Sequence, residues 1–214
     1  MKNIIIADNQ DITQAGMAYV LSKRDNISCR VARDKSELIL LLNDCPEAVV
    51  ILDYTLFDIS SESDLLNIGQ RFPLAHLILW SEELSVDFIR SLVNASNRIS
   101  VLMKDAKMSE IEQCFDYVLQ GQRFLCQHAT NMILAPTALV DKEIVALTKT
   151  ETEILKEIAL GATTREIAEK RFSSFHTVNT HRKNIFRKLG VNNVHEAIRY
   201  AMRSGLVDAA EYYI

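Results

Sequence analysis

Four strand-like runs in the first half of the chain have no alternating polar face: Ile4-Ile5-Ile6-Ala7, Ala48-Val49-Val50-Ile51-Leu52, Leu77-Ile78-Leu79-Trp80 and Ser100-Val101-Leu102-Met103. A strand with one wet side alternates polar and apolar residues, so a continuous apolar run marks a strand covered on both faces. Helical patterns separate the runs, first through Ala15, Met17, Val20 and Leu21, then near 35–43, 61–71, 85–95 and 107–120. This rhythm predicts a doubly wound parallel α/β sheet. In such a sheet the functional crevice lies beyond the carboxyl ends of the strands. Asp8, Asp53, Ser81 and Lys104 occupy those ends. Two carboxylates, a hydroxyl and an ammonium at one edge suit Mg²⁺ and a phosphoryl group, because oxygens hold a hard cation and lysine neutralises phosphate charge. Taken singly, each residue also fits a helix cap or a solvated loop charge; their joint placement carries the reading.

The last third obeys a different period. Thr148 stands three residues before Glu151, forming an S/T-x-x-E capping box, and Ile154, Leu155, Ile158 and Ala159 follow on one helical face. Gly161 should stop that helix. Thr163 or Thr164 then caps a short helix through Arg165–Lys170 with Ile167 and Ala168 inward. After Ser173-Ser174 a longer helix buries Val178, Ile185, Phe186 and Leu189, leaving Asn179, Thr180, Arg182, Lys183, Arg187 and Lys188 for the other faces, and Gly190 closes it. A short helix, a polar turn and a longer helix with amides, hydroxyls and cations outward is the pattern of a helix that enters a major groove. Val194–Ser204 makes a fourth helix whose Ala197, Ile198, Ala201 and Met202 suit either a dimer contact or the domain's own core.

Charge separates the two halves. Residues 1–146 hold 13 basic against 20 acidic side chains, whereas residues 147–214 hold 11 against 8, within a chain of net charge -4. Between Arg165 and Lys188 seven basic residues face two acidic ones, an asymmetry that points to an anionic partner. Cys29, Cys45, Cys114 and Cys126 are too widely spaced for a C-x-x-C site and are expected to be buried thiols. No run has the length of a membrane span or a signal sequence, so a cytoplasmic protein without membrane partners is expected. No P-loop, G-x-G-x-x-G, G-x-S-x-G elbow or paired histidine ligands are present, and enzymatic activity is not expected.

The segments L-T-x-x-E-x-E-I-L, G-A-T-T-R-E-I-A, S-F-H-T-V-N-T-H and N-I-F-R-K-L-G-V resemble the LuxR/NarL-type DNA-binding domain. That resemblance implies double-stranded DNA as partner. It places Asn179, Thr180 and Lys183 at base-facing positions, with His176, Thr177, Arg182 and Arg187 on phosphate or backbone. The first half resembles the receiver domain of two-component response regulators, and the two together resemble the NarL/FixJ-type regulator. The layout implied is a flavodoxin-like, doubly wound parallel five-stranded sheet over 1–121, a linker over 122–146 and an all-α four-helix helix-turn-helix domain over 147–214. Asp53 is then the phosphoacceptor, Ser81 and Lys104 the phosphoryl-site and switch residues, and Asp8 with Asp53 the Mg²⁺ ligands. A histidine kinase and a homodimer in the active state are the further partners implied.

Three positions and one stretch depart from that pattern. Asn9 replaces a usual acidic residue, which should weaken Mg²⁺ binding. Val101 stands where an aromatic is common, Phe57 where proline often follows the phosphoacceptor, and N-A-S-N-R-I-S lacks the glycine expected before Val101. They motivate an alternative, a phosphorylation-independent transcription factor whose receiver-like domain serves dimerisation or ligand sensing. Trp80 is expected to pack in the core beside Ser81. Pro136 should end a helix over Ala129–Leu134, and Phe124, Leu125, Met132, Ile133 and Leu134 are apolar enough to dock on one of the domains.

Overall fold

The computed structural model describes residues 1–59, 61–82, 84–135 and 146–207, and the chain divides into two compact units, Met1–Ala135 and Pro136–Ile214. In the first unit, strands β1 (Lys2–Ala7), β2 (Ile27–Ala32), β3 (Val49–Asp53), β4 (His76–Ser81) and β5 (Ile99–Met103) form one sheet, ordered β2-β1-β3-β4-β5. Every pairing is parallel, with Ile6 beside Ile51, Asp53 beside Trp80 and Ser81 beside Met103. Helices α1 (Asp11–Ser22), α2 (Lys35–Asp44), α3 (Glu62–Arg71), α4 (Val86–Ala95) and α5 (Met108–Leu119) make the crossovers. Cross-helix bonds define the two layers. Arg24, just after α1, pairs with Asp116 of α5 at 2.8 Å, whereas Lys35 of α2 pairs with Asp64 of α3 at 2.7 Å and Ser91 of α4 donates to Glu62 of α3.

The strands β3, β4 and β5 are buried along their whole length, as continuous apolar runs require. β2 is absent from the apolar runs of the sequence because it lies at the sheet edge, where only Ala32 is fully buried. The same edge position corrects the expectation for the cysteines: Cys114 and Cys126 are buried, Cys45 is half-buried and Cys29 is exposed.

The opposite edge is closed. Val101 donates its N–H to the Phe124 carbonyl at 3.0 Å, and Cys126 donates back to the Val101 carbonyl at 3.0 Å, so Leu125 bridges to β5 in parallel. Helix α6 (Gln127–Leu134) follows, with Arg90 of α4 donating to the Ile133 carbonyl at 3.1 Å. Phe124, Cys126 and Ala129 enter the first core, and Leu125, Met132 and Ile133 pack against it. Leu134 is exposed. Residues 124–134 thus belong physically to the first unit, while the stop expected at Pro136 lies outside the described residues.

The second unit contains α7 (Lys149–Ala159), α8 (Thr164–Lys170), α9 (Phe175–Leu189) and α10 (Val194–Arg203). Its boundaries are written in the caps. Thr148–Glu151 and Thr163–Glu166 form reciprocal capping boxes, and the Ser174 hydroxyl accepts from the Thr177 N–H at 3.0 Å. Gly190, at φ +66, supplies the left-handed residue that ends α9. Ile154, Leu155, Ile158, Ile167, Val178, Ile185 and Phe186 make the core, joined by Ala197 and Ala201 of α10. Those two alanines therefore serve intramolecular packing; Tyr200 is exposed instead.

Candidate functional site

The parallel sheet carries Asp8, Asp53, Ser81 and Lys104 to one edge, and a chain of bonds links three of them. The Lys104 ammonium donates to Asp53 Oδ2 at 2.8 Å, and the Thr55 N–H donates to Asp53 Oδ1 at 3.0 Å. The Thr55 and Ser81 hydroxyls are hydrogen-bonded at 2.9 Å, and the Lys104 N–H donates to the Ser81 carbonyl at 2.8 Å. Asp53 is 0% exposed. Burial pushes its carboxyl up from the ordinary value, against the opposing pull of Lys104 and of backbone donors.

Asp8 stands just beyond β1, where the Gln10 N–H donates to its Oδ1 at 2.7 Å. Its Oδ2 is buried and has no hydrogen-bond partner. Burial first, and the neighbouring Asp53 second, push the Asp8 carboxyl up to about 6. An orphaned buried carboxylate oxygen beside a second carboxylate is a place for a proton or a hard cation. Asp8 and Asp53 thus fit Mg²⁺, although the donor set is small. Among the described residues, no group of three or more His, Cys, Asp and Glu side chains is placed to hold a metal. The Asn9 amide instead turns to the Leu56 carbonyl at 3.2 Å.

Thr55 completes this network, and the sequence barely marks it. Its signal is only its place two residues beyond Asp53, and its bond to Ser81 emerges when β3 and β4 lie side by side. Tyr54, Phe57, Ile59 and Leu84 are all buried around this edge, with Tyr54 stacked on Phe88 of α4 at 4.8 Å. Trp80 packs in the core, its Nε1 without a partner.

On α9, His176, Thr177, Thr180, Lys183 and Arg187 are exposed and Asn179 is partly so. Thr180 donates its hydroxyl to the His176 carbonyl at 3.0 Å, and Thr177 is engaged in the Ser174 cap. Arg182, expected on phosphate, is corrected: it is 7% exposed, with its guanidinium 5.7 Å above the Phe186 ring. The physical reason is phase. Position 182 lies four residues after Val178 and four before Phe186, hence on the core side. Lys188 is likewise turned in, donating to Glu151 at 2.7 Å. Arg171 pairs with Glu153 at 3.2 Å and Glu157 at 2.8 Å, and Lys170 with Glu157 at 3.2 Å. The cationic excess of the sequence segment is thus partly balanced by glutamates of α7, while Lys183 and Arg187 are exposed on α9.

These features define a class: an α/β domain with a buried acidic pocket at its carboxyl edge, followed by a helix-turn-helix domain. Residues 145–201 match the domain family described as bacterial regulatory proteins, luxR family. The chain is similar to the transcriptional regulatory protein LiaR of Bacillus subtilis, 26% identical over 97% of this chain and 100% of the relative. It is also similar to the oxygen regulatory protein NreC of Staphylococcus aureus, 24% identical over 96% and 99%. Its fold is like that of the RcsB response regulator of Salmonella typhimurium (TM-score 0.56, 21% identity, 95% and 100% covered) and of an RcsB–DNA complex (TM-score 0.54, 22% identity, 93% and 96% covered). Residues 145–201 are thus a luxR-family domain, and over its whole length the chain is similar to response regulators of the NarL/FixJ type, a receiver fold joined to a LuxR-type helix-turn-helix domain. No helix among the described residues is long and apolar enough to cross a membrane.

Proposed function

We propose that this response regulator controls transcription by binding duplex DNA through α9, and that Asp53 accepts a phosphoryl group from a histidine kinase to set its activity. The observation that supports this reading best is the pocket's electrostatic composition. A lysine already sits on one oxygen of a fully buried aspartate, beside a second carboxylate with an oxygen unspent. In the reaction, an Asp53 carboxylate oxygen attacks phosphorus and the bond to the donor's leaving group breaks, so charge passes to that group. The Lys104 ammonium neutralises a phosphoryl oxygen, and Ser81 exchanges its bond to Thr55 for one to the phosphoryl group. Mg²⁺, held by Asp8 and Asp53, supplies further positive charge to the phosphoryl oxygens when bound. Because Asp53 is sealed, Lys104 and the residues around the pocket must first move aside, and phosphorylation should be slow.

The phosphorylated form is proposed to dimerise on DNA, with Asn179, Thr180 and Lys183 toward bases and His176, Thr177 and Arg187 toward the backbone. The test is the intact mass of wild type and Asp53→Ala after incubation with Mg²⁺ and acetyl phosphate. One phosphoryl adduct on wild type alone is expected; an adduct on both moves the acceptor elsewhere.

A second reading has its own observation. The Thr55 hydroxyl already holds Ser81 at 2.9 Å, the sort of contact that a phosphoryl oxygen would offer. A receiver locked in this way regulates through dimerisation or ligand binding without phosphorylation. DNA binding indifferent to acetyl phosphate and to Asp53→Ala would select this reading.

A further inference from the structure

The turn into α9 carries two aromatic rings in water. Phe172 is 100% exposed and Phe175, the first residue of α9, is 55% exposed, while Phe186 of the same unit is buried. Phe172 also adopts φ +52, a left-handed conformation that a bulky side chain rarely takes. Two exposed apolar rings beside a capped helix start offer a contact surface.

Phase and charge say which. Phe175, Asn179 and Lys183 recur at i, i+4 and i+8, so Phe175 opens the stripe that carries the polar residues assigned to bases. The whole of α9, Phe175–Leu189, contains no Asp or Glu. A face with cations, no carboxylate and an apolar ring at its amino end is complementary to a polyanion that also offers an apolar group. In the major groove that group is the thymine C5-methyl, and the amino-terminal residues of a recognition helix are those that reach base edges.

We propose that Phe175 is a specificity-determining residue that reads a thymine methyl group in the major groove. This rests on the reading of α9 as the DNA-contacting helix and adds what that helix selects. Phe172 lies three residues earlier, outside the helical stripe, and provides a built-in control: an equally apolar, more exposed ring that does not discriminate bases.

The experiment uses the full chain and a duplex recovered by selection from random sequence with wild type. Each thymine of the site is replaced singly by deoxyuridine, which removes only the methyl group. Wild type is expected to lose roughly four-fold in affinity at one or more thymines, the size expected for one buried methyl group. Phe175→Ala is expected to bind thymine and deoxyuridine duplexes equally. Phe172→Ala and Lys183→Ala are expected to keep the methyl preference, Lys183→Ala at lower overall affinity. A wild type indifferent to every deoxyuridine, or a Phe175→Ala protein that keeps the preference, overturns the inference while leaving DNA binding intact. Failure of wild type to enrich any sequence overturns the DNA-binding reading itself. Unchanged circular dichroism and melting of the Phe175→Ala protein, and partial retention of the preference by Phe175→Leu, separate reading from folding.

Discussion

Among the described residues each unit has one lysine–carboxylate pair with both side chains largely buried, and the two pairs are nearly equal in length. Lys104–Asp53 spans 2.8 Å and Lys188–Glu151 spans 2.7 Å, with both lysines largely covered. Their electrostatics are opposite. Burial raises the Asp53 carboxyl despite Lys104. For Glu151 burial also pushes upward, but the Lys188 bond and the Thr148 cap outweigh it and hold the carboxyl below its ordinary value. Glu151 is satisfied by Lys188 and by the Thr148 N–H at 2.7 Å, whereas Asp53 adjoins Asp8, whose second oxygen has nothing. An ion pair by itself therefore does not mark a site; unmet electrostatic demand beside it does.

Removal of each lysine in turn should separate the two pairs. Lys188→Ala should strand Glu151 and cost about 3–5 kcal/mol, a large share of a small domain's stability. Hydrogen exchange of α7 and α9 amides should read that loss, and Lys188→Met with Glu151→Gln should recover most of it. Lys104→Ala should cost less than Lys188→Ala, because burial already favours the neutral form of Asp53. A Lys104→Ala loss as large as that of Lys188→Ala would erase the distinction.

A second buried group of the first unit provides a pH test. Burial, with Arg98 nearby, lowers His76 from 6.5 to about 4. The unfolded chain then binds more protons than the native one between these values, so stability is full above 6.5 and falls as pH drops toward 4. The loss is about 3 kcal/mol, and urea titrations of wild type and His76→Gln at stepped pH should show the wild-type slope flattened in the variant. Asp8 contributes in the opposite sense: its native carboxyl, at about 6 against an ordinary 3.8, holds the extra proton in that window, so its contribution declines as pH rises to 6.

That opposition yields a smaller effect. Mg²⁺ bound as proposed would compete with the Asp8 proton, and at ten times its dissociation constant it should stabilise the first unit by about 1.4 kcal/mol at pH 7.5. The shift should shrink at pH 5 and vanish in Asp8→Ala, as read by thermal melting. The smallest effect concerns salt. Arg187→Ala should reduce the slope of log affinity against log salt by about 0.9, one phosphate contact, while Arg182→Ala should leave the slope unchanged and lower stability.

The parts legible in the sequence share a local cause. Capping boxes at Thr148 and Thr163, the Ser174 cap and the Gly190 stop are decided within a few residues, and buried strands declare themselves by composition. What escaped depends on partners distant in sequence or on helical phase. β2 is an edge strand whose half-wet pattern reads weakly, Arg182 is outward by composition but inward by spacing, and Lys188 is neutralised from 37 residues away. The pocket's four end-of-strand residues could be named because topology alone brings them together, but Thr55 could not, since its role exists only once β3 lies beside β4.

The strip from Phe124 to Cys126 has a consequence for how this domain can travel between proteins. An uncovered β5 would present bare N–H and C=O groups to any passing strand, the usual route to sheet-to-sheet polymerisation. A gene fusion or truncation that cuts at Gly121 keeps every strand of the sheet yet removes the strip that seals it. A piece of the chain that keeps this sheet edge covered therefore runs at least through Cys126, within the compact unit that ends at Ala135.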